Sequence, residues 1–201
     1  MYIKIYERKL TRFFDDWGWT ISIEDADVLL LLLSLTQTKE FIIGSDNDCI
    51  RESLKEMSDT LTIPIKSIMR SVDCLKYHGL LEIKNSSEKE IIVRTKAFDT
   101  DESPIEKGRY IYYIPVPDDC YRLYANRCRY VSFIYLYLIH KVDWYGKRKL
   151  NYTKFLKHYK IPLKESHFAI DKLVRMGLIT VSSKQYVTIN GLKEIDCYAE
   201  E

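Results

Sequence analysis

The sequence has little that would take it to a membrane or out of a cell. The run Val28 to Leu33 is entirely aliphatic, but it falls far short of the ~20 apolar residues that a spanning helix needs. It predicts a buried core helix instead. The opening "MYIKIYERK" alternates charged and apolar residues and lacks the apolar region of a secretory signal. These absences set the expectation of a soluble, cytoplasmic protein with no membrane partner. Cysteine is scarce as well. Cys49, Cys74, Cys120, Cys128 and Cys197 are odd in number and form no C-x-x-C pair. That pattern argues for free thiols and against a disulfide framework or a zinc site.

Catalytic motifs are also missing. No H-E-x-x-H, G-x-x-x-x-G-K-[ST], G-x-S-x-G or G-x-G-x-x-G occurs, and no H-x-H stands near a tyrosine nucleophile. The four histidines, His78, His140, His158 and His167, form no metal-ligand spacing. The expectation is a protein that is not an enzyme, with no cofactor and no metal. His78 precedes a helix-ending glycine and is expected at the surface. The 16 tyrosines cluster in strands and core helices, where they serve as packing residues with a hydroxyl to place.

What the chain does have is a segment that occurs twice. "IPIKSIMRSVDCLKYHGLL" starts at Ile63 and "IPLKESHFAIDKLVRMGLI" at Ile161, 98 positions later and without a gap. A single repeat at this offset points to two small domains, since solenoid repeats are shorter and more numerous. "DTDESPIEKG", Asp99 to Gly108, is polar and poor in apolar residues, and it marks a linker. The expected division is 1–98, a linker over 99–108, and 109–201.

The elements on the two sides read alike. Each side opens with an extended aromatic-rich stretch, "YIKIY" from Tyr2 and "YIYYIPVP" from Tyr110, where Pro115 and Pro117 suit an edge or a strand end. A hydrophobic helix follows, "ADVLLLLLSL" and "YVSFIYLYLI", the first preceded by "SIED" with Ser22 as its cap. Short helices come next, "SLKEMSDTL" capped by Ser53 with Glu56, and "NYTKFLKHY" capped by Asn151. Pro64 and Pro162 suit the start of the repeated helix, and Gly79 and Gly177 its end. Ile68, Val72 and Leu75 form one apolar face at i, i+4 and i+7, matched by Ser166, Ile170 and Leu173. "LLEIK…EIIVR" and "LITVSSKQYVTI" each read as strand, turn, strand. This is the winged helix-turn-helix order, so the expected fold class is α+β, mainly helical, with two tandem winged helix-turn-helix domains related by an internal repeat.

In such a unit the second helix lies in the major groove and its outward side chains reach the bases. That face carries Lys164, His167, Phe168 and Asp171 in the second copy, with Lys172 beside it. In the first copy it carries Lys66, Met69, Arg70 and Asp73. Lysine and arginine suit guanine acceptors and phosphates, and phenylalanine suits a thymine methyl or the core. Lys147, Arg148, Lys149, Lys154, Lys157 and Lys160 stand before or in the second short helix, and Lys184 stands at the second wing tip. These cations would grip backbone in a salt-dependent way. The charge is unequal. Residues 1–100 hold 14 basic and 17 acidic residues, and residues 105–192 hold 16 basic and 6 acidic. A polyanion would prefer the second half. The first wing, with Glu88, Lys89 and Glu90, suits a protein partner better than phosphates.

"YIYYIPVPDDCYRLYANRCRYVSFIYLYLI" followed by "IPLKESHFAIDKLVRMGLI" resembles the winged-helix region of plasmid and phage replication initiators and DnaD-like replisome organisers. "YIKIYERKLTRFFDDWGW" resembles the start of phage replication-organiser proteins, and two tandem winged helices are similar to Rep-type iteron-binding initiators. The resemblance implies sequence-specific binding of double-stranded DNA in replication initiation of a plasmid, phage or mobile element. The alternatives are a transcriptional regulator with the same fold, and a protein-interaction winged-helix subunit of a chromosome-maintenance complex. A homodimer contact or a replication or segregation protein would meet the acidic N-terminal half.

Overall fold

In the computed structural model the protein is an α+β fold, with helices and three small antiparallel sheets among the described residues. The structure describes residues 2–6, 10–11, 13–14, 21–38, 49–95, 110–116, 130–141, 147–149, 157, 159–182 and 186–196. The linker expected at 99–108 and the Asn151 cap lie outside them. Along the chain come β1 (Tyr2–Tyr6), α1 (Ile23–Thr38), β2 (Cys49–Ser53), α2 (Leu54–Leu61), α3 (Ile65–Tyr77), β3 (Leu81–Ser86) and β4 (Glu90–Thr95). These are followed by β5 (Tyr110–Pro115), α4 (Val131–Lys141), β6 (Lys147–Lys149), α5 (Leu163–Arg175), β7 (Ile179–Val181), β8 (Tyr186–Ile189) and β9 (Lys193–Asp196).

The core is built on α1 and α4. Every residue from Val28 to Leu33 is buried, and so is every residue from Val131 to Leu136. A helix that is apolar on all sides must be surrounded. Here α1 lies between α3 and α4, and α4 lies between α1 and α5. The aromatic side chains lock this layer across the length of the sequence. Phe14 meets Phe133 and Tyr137 at 5.6 Å between centroids and stacks on His140 at 5.3 Å. Tyr159 meets Phe133 at 4.9 Å and Tyr137 at 5.6 Å. The buried side chains form one contiguous cluster.

The three sheets have the orders β1-β5-β9, β2-β4-β3 and β6-β8-β7. In the first, Tyr2 pairs with Pro115 and Tyr110 with Asp196. β5 is therefore its central strand. Proline is tolerated because Pro115 is the last residue, where a missing N–H interrupts little of the ladder. The Tyr135 hydroxyl donates to the Pro115 carbonyl at 2.6 Å and fastens α4 to that strand end.

Local signals account for most helix ends. Ser53 caps α2, its hydroxyl accepting from the Glu56 N–H at 3.4 Å. Pro64 and Pro162 are the N-caps of α3 and α5. At the start of α1 the capping runs the other way from expectation. Asp25 reaches back and accepts from the Ser22 N–H at 2.7 Å, while the Ser22 hydroxyl is buried without a hydrogen bond. Ser22 therefore supplies a backbone donor, and an aspartate three residues on supplies the acceptor.

His78 departs from expectation more strongly. It is only 2 % exposed, against Phe13 at 6.4 Å and Tyr77 at 5.4 Å between centroids. It lies one position before the glycine turn but on the inner side, where an aromatic ring fills space beside the 10–14 segment. Cys74, also buried, lies beside Asp25. Burial first, and the Asp25 charge second, push its thiol up to about 12, which makes it unreactive as a nucleophile.

Candidate nucleic-acid interface

α3 and α5 are amphipathic, and their apolar faces settle which side chains remain outside. Ile68, Val72 and Leu75 are buried on α3, as are Ser166, Ile170 and Leu173 on α5. Ser166 satisfies its hydroxyl within the helix by donating to the Leu163 carbonyl at 2.8 Å. The turns before and after these helices are tightly determined. Thr62 has φ +58 and Lys160 has φ +53, left-handed conformations uncommon outside glycine. Lys160 thus ends its helical segment rather than occupying it. Gly79 has φ +67 and Gly177 has φ +70. At the end of α3, Gly79 N–H donates to Lys76 and Leu80 N–H to Leu75; at the end of α5, Gly177 donates to Val174 and Leu178 to Leu173. Each set is a Schellman closure, with a buried leucine pair sealing it.

The outer face of each helix follows the spacing i, i+4, i+7, i+11. On α3 these positions are Lys66, Arg70, Asp73 and Tyr77, all exposed. On α5 they are Lys164, Phe168, Asp171 and Arg175, also exposed, with exposed His167 alongside. Phe168 and Leu163 are each 55 % exposed, so Phe168 belongs to the surface and not to the core. Met69 is partly buried against the core, which takes it off the outer face. Lys172 is partly buried too, and its charge acts on Asp27 of α1. It lies on the inward flank of α5 rather than with the outer cations. Arg175 was not among the sequence candidates, although its position seven residues after Phe168 would have placed it on the same face.

The hairpins differ in charge. Beside the first, Arg51 of the adjoining strand β2 lies 3.6 Å from Glu90, and within it Lys84 lies 3.0 Å from Glu82. Two cations are thereby matched to carboxylates on the same sheet. Ser87 organises the turn by accepting from the Glu90 and Lys89 N–H groups. In the third sheet Lys147, Arg148 and Lys149 form the edge strand β6, in register with Thr188, Val187 and Tyr186. Three successive cations on an edge strand also discourage edge-to-edge pairing. Lys157 is exposed just ahead of α5. Lys154 and Lys184 lie outside the described residues.

Among the described residues no cluster of histidine, cysteine or carboxylate side chains could hold a metal ion, and no helix is long and apolar enough to cross a membrane. In comparisons with known proteins, no family model, no curated protein and no solved structure matches this chain.

Proposed function

We propose that the protein binds double-stranded DNA sequence-specifically through two winged helix-turn-helix units, with the second supplying most of the affinity. The observation that carries this reading is the coincidence of backbone and surface. The left-handed residues Thr62 and Lys160, and again Gly79 and Gly177, each stand 98 positions apart. They bracket helices whose outer faces are exposed and bear cations. The sheet orders β2-β4-β3 and β6-β8-β7 support it further, because in each a strand ahead of the repeated helix pairs with the second strand of the hairpin. That pairing is how a winged helix ties its wing to its core. On α5, Lys164 and Arg175 can donate to guanine or phosphate, and Phe168 can meet a thymine methyl. The cations of β6, with Lys157 and Lys184, would hold the phosphate backbone.

The biological setting we favour is replication initiation, or its control, on a plasmid, phage or other mobile element; transcriptional regulation would use the same chemistry. The paired charges of the first hairpin favour a different role for that half, contact with a protein partner or a second copy. The test is selection from a random duplex library with the purified chain. A recurrent motif supports specific readout, and its position relative to origins or promoters separates the two settings. Retention of duplex without enrichment would leave only phosphate-driven attachment. No retention at low salt would overturn the DNA reading in favour of a protein-interaction module.

A further inference from the structure

The end of α5 is tied to the hairpin behind it through one residue, Asn190. Its backbone N–H donates to the Leu178 carbonyl at 2.9 Å, one step beyond the Ile179–Ile189 pair that ends the β7–β8 ladder. Its side chain reaches further. Nδ2 donates to the Gly177 carbonyl at 2.9 Å, and Oδ1 accepts from the Thr180 hydroxyl at 2.9 Å. A carbonyl only accepts, so the amide must face Gly177 with its nitrogen. Asn190 thus holds Gly177, Leu178 and Thr180 together, and the exposed Arg175 lies two positions before that turn. The corresponding residue of the first copy, 98 positions earlier, is Ile92 of β4, which has no amide to offer. Directly after Asn190 comes Gly191, exposed and at φ +73, where the chain leaves β8 for β9 and the first sheet.

We propose that the Asn190–Gly191 pair is a self-modification site, held in check by this latch, and that deamidation there releases the end of α5 permanently. An asparagine followed by glycine is open to attack on its side-chain carbonyl by the next backbone nitrogen, because glycine carries no Cβ to hinder the approach. The Gly191 nitrogen forms a bond to Asn190 Cγ, the Cγ–Nδ2 bond breaks, and ammonia leaves with the proton that the Gly191 nitrogen gives up. Water then opens the cyclic imide at one carbonyl or the other, to aspartate or to isoaspartate. In the folded chain both ends of the amide are held. Attack makes Cγ tetrahedral and draws Oδ1 and Nδ2 away from their partners, so the closed latch opposes it. After the reaction the latch does not re-form. Aspartate sets a carboxylate oxygen against the Gly177 carbonyl, two acceptors with no proton between them. Isoaspartate also lengthens the backbone by a methylene ahead of Gly191. Deamidation thereby makes an opening of the hairpin irreversible, and the surface that loses its anchor is the last turn of α5.

The experiment follows deamidation of the full chain at mildly alkaline pH by peptide mass spectrometry, with circular dichroism to verify that each variant is folded. Wild type in urea gives the rate without the latch, and folded wild type should react several-fold more slowly. Thr180→Val should react faster than folded wild type by about two- to tenfold, the range that loss of one hydrogen bond allows. Thr180→Ser should return close to the wild-type rate. Asn190→Asp, which mimics one product, should lower amide protection at Met176, Gly177 and Leu178 relative to the centre of α1. Equal rates in the folded and the urea-unfolded chain would overturn the proposal. So would a Thr180→Val rate equal to wild type, or unchanged protection at the end of α5 in Asn190→Asp. None of these measurements involves DNA, so this inference and the DNA reading stand or fall separately.

Discussion

The last turns of α3 and α5 close with corresponding hydrogen bonds to corresponding carbonyls, yet the stripes of side chains leading up to them differ. On α3 the stripe is Lys66, Arg70, Asp73 and Tyr77; on α5 it is Lys164, Phe168, Asp171 and Arg175. In the sheet joined to α3, Arg51 of β2 is matched with Glu90 of β4 and Lys84 with Glu82 of β3. Backbone turns and buried leucines tolerate few residue types, whereas outer faces tolerate nearly all. The same backbone closure thus carries two unlike outer faces.

The strongest way to break this comparison is to ask whether the halves fold apart. They share one buried cluster, so Leu75→Ala, which empties a fully buried site in the first half, should cost about 2–5 kcal/mol. Urea unfolding followed by circular dichroism, and by amide exchange in β8, should shift together. A second-half signal that stays at its wild-type midpoint would show two independent cores.

Asp27 gives the next largest effect. Its folded-state value lies above its unfolded one, so the folded chain holds the proton more tightly. Stability from this group is greatest below pH 4 and falls as pH rises to about 7. Asp27→Asn should therefore stabilise the protein at pH 8 by about 2–4 kcal/mol and by little at pH 4. Thermal melts across that range measure the difference; a variant equally or less stable at pH 8 would contradict the burial of this carboxyl in the folded chain.

Gly177 tests the turn itself. A Cβ there would meet nothing within 4 Å, so the cost of a side chain is conformational alone. At φ +70, Gly177→Ala should lose about 1–2 kcal/mol, and Gly177→Val more. An unchanged melting temperature would mean that the left-handed closure is dispensable.

How far the sequence revealed this structure depends on the kind of signal. The core helices were legible from Val28–Leu33 and "YVSFIYLYLI", and the helix ends from Pro64, Pro162, Gly79 and Gly177, because apolar runs and special backbone residues act locally. β2, β6 and β9 were not. "CIRES", "KRK" and "KEID" lack alternation and strand-favouring residues, and are extended because β4, β8 and β5 hold them by pairing. His78 was misjudged for a related reason. Helical spacing tells which residues share a face, but the ring that packs against His78, Phe13, comes from far along the chain. The exposure of Lys164, His167, Lys66 and Arg70 follows from helical spacing opposite the buried stripes of α5 and α3.

The central claim is tested most directly by titrating the selected duplex at several salt concentrations with wild type, Lys164→Ala/Lys184→Ala and Lys66→Ala/Lys89→Ala. Affinity should fall steeply with salt. The second-half pair should bind more weakly, with the slope reduced by about 0.9 for each phosphate contact removed. The first-half pair should bind nearly as wild type. Equal losses in both pairs would contradict the division of labour between the halves, and salt-independent binding would contradict contact with DNA phosphates.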